Sequence, residues 1–270
     1  MQFIMFTKHL EGKDINGLIE ALQSVGVEGA DLCVRPNYPV TPENAPTELP
    51  KAAKAFADAG LSIPLITTPG RYTDPNDATV QPLFAACAEA GVKFVKLGYW
   101  LLGEEDYWTT VDKVRKDLEG FAEHARESGV TAVFHTHSGP YMGLNASAVM
   151  HLVKDFEPDE VGVFLDAGHL VLMGEPATMA LSIVKDHLKV MAFKDLCPQQ
   201  VVRDGKATWT SRTVRLGEGP VDWEAWLKGL AAMGFDGPIS FHSEYSGVPV
   251  ETVIDLARTD VRYVRGLLGS

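Results

Sequence analysis

Short apolar runs alternate with longer amphipathic segments along the whole chain. The runs Phe3–Lys8, Gly29–Val34, Ser62–Thr68, Phe94–Tyr99, Thr131–Ser138, Gly162–His169, Val190–Leu196 and Pro238–Tyr245 each read as a strand. All are rich in Val, Ile, Phe or Leu and are bounded by Gly, Pro or polar residues. Between them, apolar positions recur at helical spacing, as in Leu18, Ile19, Leu22 and Val25, or Val253, Leu256, Ala257 and Val261. Asp14, Thr41, Asn145 and Asp222 stand where helices would be capped, and Gly26, Gly60, Gly91, Gly129 and Gly234 where they would end.

Near-continuous apolar strands alternating with helices indicate a parallel sheet covered by helices. Eight such units over residues 1–270 fit one domain, a closed (β/α)8 TIM barrel of the α/β class. An open doubly wound sheet is the other arrangement this order permits. No GxGxxG or phosphate-binding glycine loop follows an early strand, so its nucleotide-binding form has little support. The longest gap, Cys197 to Gly237, reads as a polar loop of the kind that often covers a substrate.

Composition narrows the function. The 270 residues are 46% hydrophobic and 22% charged, enough to bury a core. Twenty-four basic residues against 36 acidic ones give a net charge of −12, which argues against nucleic acid or an anionic membrane as partner. Cys33, Cys87 and Cys197 form no CxxC pair, so a reduced, cytoplasmic setting is expected. No secretory signal and no apolar run long enough to span a membrane is legible.

The chemistry collects at the ends of the last four strands: His135-Thr136-His137-Ser138, Asp166-Ala167-Gly168-His169, Lys194-Asp195 and His242-Ser243-Glu244-Tyr245. Alternation puts His135 with His137, Ala192 with Lys194, and His242 with Glu244. In a barrel these ends form the active mouth. So many ionisable groups in one small volume must pair, bind a metal or do chemistry. Asp195 reads equally as a structural cap or salt-bridge partner and as a functional group. Lys8 and Arg35 could bind substrate oxygens or pair with Asp31, and Lys96 lies within the fourth strand. Trp100 and Tyr99 could stack on a sugar ring. Arg212 and Arg215 read as part of a solvated loop. His9, His124, His151 and His187 read as solvent-facing.

With these residues in order, the sequence resembles the sugar phosphate isomerase/epimerase family, the xylose isomerase-like TIM barrels that include D-tagatose 3-epimerase and inosose dehydratase. Carriers of the resemblance are Thr7-Lys8-His9-Leu10, Gly29–Pro36, His137-Ser138-Gly139, Asp166–His169, Lys194-Asp195, Leu216-Gly217-Glu218-Gly219 and His242–Tyr245. The resemblance implies a divalent metal (Mn, Zn, Co or Mg) held at the mouth by Glu, Asp, His and Glu from strands five to eight. It also implies proton transfer on a keto sugar, and it allows a dimer or tetramer.

This sequence keeps only Asp166 of that set. The first Glu position falls on His135, the His position on Ala192, and the last Glu position on His242, with Glu244 two residues on. Three sites are compatible with the exchange. A metal could sit on His135, Asp166 and His242, or Lys194 and the histidines could work without one, or the barrel could bind sugar without catalysis.

The expected activity is that of an isomerase or epimerase abstracting a proton beside a carbonyl of a keto sugar or keto-polyol. A dehydratase acting on a keto sugar or keto-glycoside shares that first step. His135, His242, Lys194 and Glu244 are the candidate catalytic groups, a neutral His135 or His242 being the candidate base. His137, His169, Arg35, Lys8 and Trp100 are the candidate substrate contacts.

Overall fold

The computed structural model describes residues 1–269. Eight parallel strands close into a barrel: β1 (Gln2–Phe6), β2 (Gly29–Cys33), β3 (Ser62–Thr67), β4 (Phe94–Lys96), β5 (Thr131–His135), β6 (Val161–Asp166), β7 (Leu188–Phe193) and β10 (Pro238–Phe241). β1 and β10 close the ring, with Met5 paired to Phe241. Helices α1 (Ile15–Val25), α2 (Ala45–Asp58), α3 (Val80–Ala90), α4 (Tyr107–Ser128), α5 (Ala146–Val153), α6 (Ala167–Leu172), α7 (Ala177–Val184), α8 (Trp223–Ala232) and α9 (Val250–Leu267) follow the strands. The expected single (β/α)8 barrel is therefore present.

Local chemistry accounts for many of the boundaries. Asp14, Asn145 and Asp222 cap α1, α5 and α8 by accepting from the amides of Gly17, Ala148 and Ala225. Gly26, Gly91 and Gly129 end α1, α3 and α4 in the left-handed conformation. α2 begins later than Thr41 suggests, because Thr41 and Asn44 bond each other's backbone amides in a turn that precedes it.

One expectation fails in form. Residues after Asp195 are not a loop. They make an antiparallel hairpin, β8 (Asp195–Arg203) and β9 (Lys206–Val214). Asp204 and Gly205 turn it with positive φ at both positions. Asp-Gly between paired runs is a hairpin signal that was legible in the sequence.

Two apolar layers result. The larger fills the space between strands and helices. The smaller lies inside the barrel and consists of Ile4, Leu65, Val133, Phe164, Val190 and Ala192. That inner layer sets the site. Two residues beyond Ile4, Leu65, Phe94, Val133, Phe164 and Ala192, the same faces carry Phe6, Thr67, Lys96, His135, Asp166 and Lys194.

Candidate active site

Above the inner layer lies a cavity of about 100 Å³ lined by Phe6, Lys8, Arg35, Thr67, Lys96, Tyr99, His135, His137, Phe164, Lys194, His242 and Glu244. It sits at the C-terminal ends of the strands, where barrels do their chemistry.

His135 and His242 line it, Asp166 lies beside them, and all three are buried. One ligand atom from each lies within 4.8 Å of the other two. His135 Nε2 stands 3.6 Å from Asp166 Oδ2, and His242 Nδ1 stands 3.9 Å from the same oxygen. His135 Nε2 and Asp166 Oδ2 have no hydrogen-bond partner among the described residues. Buried polar atoms without partners are rare and call for an explanation.

The far sides of these side chains meet further polar groups. His135 Nδ1 contacts Tyr99 Oη at 2.8 Å. His242 Nε2 faces Asp31 Oδ2 at 3.4 Å, within ion-pair range but without a hydrogen bond. Asp31 is itself fixed by the Thr67 and Ser240 hydroxyls, at 2.6 and 2.9 Å. Asp166 Oδ1 accepts from the His169 amide. A donor set of two imidazoles and a carboxylate, with His135 and Asp166 hydrogen-bonded from behind, fits a divalent cation. With a cation on Nε2, His135 would carry its proton on Nδ1 and donate to Tyr99 Oη.

Lys194 is the central cation. Its Nζ lies 3.2 Å from Asp166 Oδ2, 2.8 Å from Glu244 Oε2 and 3.0 Å from His169 Nε2. Burial works against its charge, but Asp166 and Glu244 outweigh burial and hold its pKa above the ordinary value. Glu244 also reaches Lys8 at 2.8 Å. Burial disfavours this carboxylate too, yet Lys194 and its neighbours hold its pKa well below the usual range. Asp166 follows the same pattern, with Lys194 the main opposing charge.

His135, His137 and His169 are neutral. Burial pushes His135 down to about 3 and His137 down to about 4. His169 is also held well below its ordinary value, by burial and by Lys194. His169 therefore accepts from Lys194 at Nε2 and donates from Nδ1 to Ser138 Oγ. It lies behind Lys194, outside the cavity lining. A histidine near 3 is a poor match to a base working near neutrality, so the environment of His135 suits a ligand better than a base.

Other expected contacts fall out differently. Lys8 and Arg35 line the cavity, and neither pairs with Asp31. Trp100 does not line it. Its ring stacks on Phe134 with centroids 5.1 Å apart, and its Nε1 donates to Asp117 on α4. Beyond Lys96 the chain leaves the barrel ladder, with Gly98 and Tyr99 bonding the loop at Tyr72 and Gly70. Strand alternation no longer applies there, and Tyr99 is the aromatic that faces the site. His9, expected at the surface, is partly buried beside Glu244, and burial lowers its pKa. His124 and His187 bond the Pro75 and Phe156 carbonyls, and His151 is exposed.

Asp195 is structural. Its carboxylate accepts from the amides of Gly217, Gly219 and Val221 and from Trp223 Nε1. A side chain on Gly219 would collide with that carboxylate. A Cβ on Gly168 would come within 2.6 Å of the Lys194 carbonyl, so glycine lets α6 approach the end of β7. Both glycine motifs thus hold Lys194 in position.

A family model, the xylose isomerase-like TIM barrel, matches residues 19–266. The chain belongs to this family. Among curated proteins it is 28% identical over 147 residues to an inosose dehydratase of Lacticaseibacillus casei, a match covering 52% of this chain and 48% of that one. It thus spans about half the length of the curated relatives it matches. Among solved structures, D-psicose 3-epimerase with D-tagatose from Clostridium cellulolyticum H10 superposes with a TM-score of 0.77 at 13% identity, over 99% of each chain. The zinc-bound IOLI protein superposes with a TM-score of 0.74 at 18% identity, over 98% of each chain. At such identities the likeness is one of fold. No helix among the described residues is long and apolar enough to cross a membrane.

Proposed function

We propose that this barrel abstracts a proton beside the carbonyl of a small keto-polyol and returns it to give an isomer or epimer. The carrying observation is the convergence of His135, Asp166 and His242 at a cavity that also presents Lys194 and Glu244. The zinc in the IOLI structure supports a metal on these residues. Such an ion, bound by His135, Asp166 and His242, would act as a Lewis acid toward a carbonyl oxygen.

The remaining roles follow from charge state. Lys194, held protonated, stabilises negative charge developing on the substrate oxygen. Glu244 is the carboxylate in the lining and takes the proton from carbon once the substrate draws both Lys8 and Lys194 away from it, removing the charges that hold its pKa low. His137, neutral and half-buried, binds a substrate hydroxyl or relays the proton. His169 positions Lys194. Arg35 and Lys8 meet the end of the substrate distal to the metal.

A cavity of about 100 Å³ is small beside the roughly 300–1,000 Å³ usual for ligand sites, which favours a single polyol over a glycoside. Loss of a hydroxyl from the same enediolate would make the protein a dehydratase. The partial match to inosose dehydratases supports that branch. A barrel that binds a polyol without turnover is the third reading.

The test reads the shared step. Metal-loaded protein is incubated in D2O with a panel of ketoses and inososes, and deuterium entering the carbon beside the carbonyl is followed by NMR. Exchange is expected in the wild type and is expected to fall at least about 100-fold in Glu244→Gln. Binding without exchange across the panel would favour the non-catalytic barrel. An exchange rate unchanged in Glu244→Gln would remove Glu244 from its role.

A further inference from the structure

Four cations line the cavity, and two of them, Arg35 and Lys96, have no ion-pair partner among the described residues. Lys8 and Lys194 each hold a Glu244 oxygen at 2.8 Å. Arg35 donates through Nε to the Thr68 carbonyl at 3.1 Å, and its guanidinium carbon lies 5.6 Å from the Phe6 ring centroid. No carboxylate is within ion-pair range of Arg35 among the described residues. Lys96 is the sharper case. It is 1% exposed, and its Nζ has no hydrogen-bond partner among the described residues. The Nζ lies 3.3 Å from the Tyr99 ring centroid. A ring face attracts an ammonium, but it supplies neither a hydrogen-bond acceptor nor a full charge.

Packing does not require this lysine. Its stem extends the inner layer above Phe94, a place that an unbranched apolar side chain such as methionine fills without desolvating a charge. Burial, then Arg35, hold the Lys96 pKa well below its ordinary value. An anion placed between the two would reverse the direction of both effects.

We propose that Lys96 and Arg35 form an anion subsite that takes a carboxylate, so that the ligand of this cavity is a polyhydroxy or keto acid and not a neutral sugar. This rests on reading the cavity as the site of a carbonyl substrate, and it names that substrate's class. A planar, singly charged carboxylate matches the free Nη edge of one guanidinium together with one ammonium. A phosphate ester dianion would also balance these two cations, and inorganic phosphate in the titration below separates the two.

The test measures binding, in chelator, so that neither metal nor turnover enters. D-gluconate, the neutral D-glucitol of the same chain length and inorganic phosphate are titrated calorimetrically into wild type, Lys96→Met and Arg35→Gln. Thermal unfolding of each unliganded variant reports whether it is folded. Gluconate is expected to bind wild type at least about ten-fold more tightly than glucitol, a preference falling to about two-fold or less in either variant. Equal binding of gluconate and glucitol, or a preference that survives both substitutions, would overturn the subsite. Phosphate binding wild type as tightly as gluconate would overturn the assignment to a carboxylate. A protein that discriminates acids in this way yet exchanges no substrate hydrogen would leave the subsite standing and sink the isomerase reading instead.

Discussion

His135 Nε2 and Asp166 Oδ2 lie 3.6 Å apart, both buried, and neither makes a hydrogen bond among the described residues. With His242 Nδ1 at 3.9 Å from the same oxygen, they leave donor atoms facing one point. Purified protein is therefore expected to carry near-stoichiometric Mn, Zn or Co by elemental mass spectrometry. Asp166→Ala is expected to lower affinity by at least about 100-fold, and Asp31→Asn, behind His242, by roughly 10-fold. Wild type free of metal, with no thermal shift on adding any of these ions, would exclude the site.

Lys194 competes with that ion, because its ammonium lies 3.2 Å from the same Asp166 oxygen. Lys194→Met is expected to tighten metal binding while destabilising the metal-free protein by about 3–5 kcal/mol, since it leaves Asp166 and Glu244 buried without their cation. Urea unfolding with and without metal separates the two effects. Weaker metal binding in Lys194→Met would contradict the competition.

The same lysine sets the acid limb of stability. Asp166 and Glu244 are held below their ordinary values of 3.8 and 4.5. Their contribution is thus complete above about pH 4.5 and drains away as pH falls further, because the unfolded chain then takes up protons that the folded chain resists. Unfolding free energies measured from pH 6 to 3 are expected to fall less steeply in Lys194→Met.

Asp260 works in the opposite direction. It accepts from Tyr245 Oη, Ser243 Oγ and the Leu216 amide, and burial raises its pKa from 3.8 to about 6. The folded state holds a proton there that the unfolded chain has lost, so stability declines as pH rises from about 4 to about 6. The decline is expected to be on the order of 2 kcal/mol and to flatten in Asp260→Asn. An unchanged profile in that variant would assign the decline elsewhere.

Lys96 is expected to carry a stability cost. Lys96→Met is expected to raise stability by about 1–2 kcal/mol at pH 7. Its pKa is depressed in the folded protein, so the unfolded chain binds the extra proton, and the advantage of the variant is expected to shrink as pH approaches 10. A destabilised Lys96→Met at pH 7 would show that the amine has a partner in solution.

What the sequence by itself determined is what depends on neighbours along the chain. Strand alternation is a property of the backbone, so the inward pairs His135 with His137, Ala192 with Lys194, and His242 with Glu244 were legible without coordinates. So were the caps at Asp14, Asn145 and Asp222. The order of strands and helices narrowed the fold to a closed barrel or an open doubly wound sheet.

Closure of that barrel decided the rest. Asp31 comes under His242 only because β1 joins β2 to β10, a contact across more than two hundred residues that no local pattern encodes. Tyr99 replaced Trp100 at the site because the chain leaves the β4 ladder after Lys96, where period-two reasoning ends. His9 looked exposed until the first turn after β1 settled against Glu244. The partner of an ionisable group is set by three-dimensional proximity and solvent exclusion. The sequence could therefore name Lys96 and Lys194 as cations. Only the folded barrel gave Lys194 two paired carboxylates and left the Lys96 ammonium without a hydrogen-bond or ion-pair partner among the described residues.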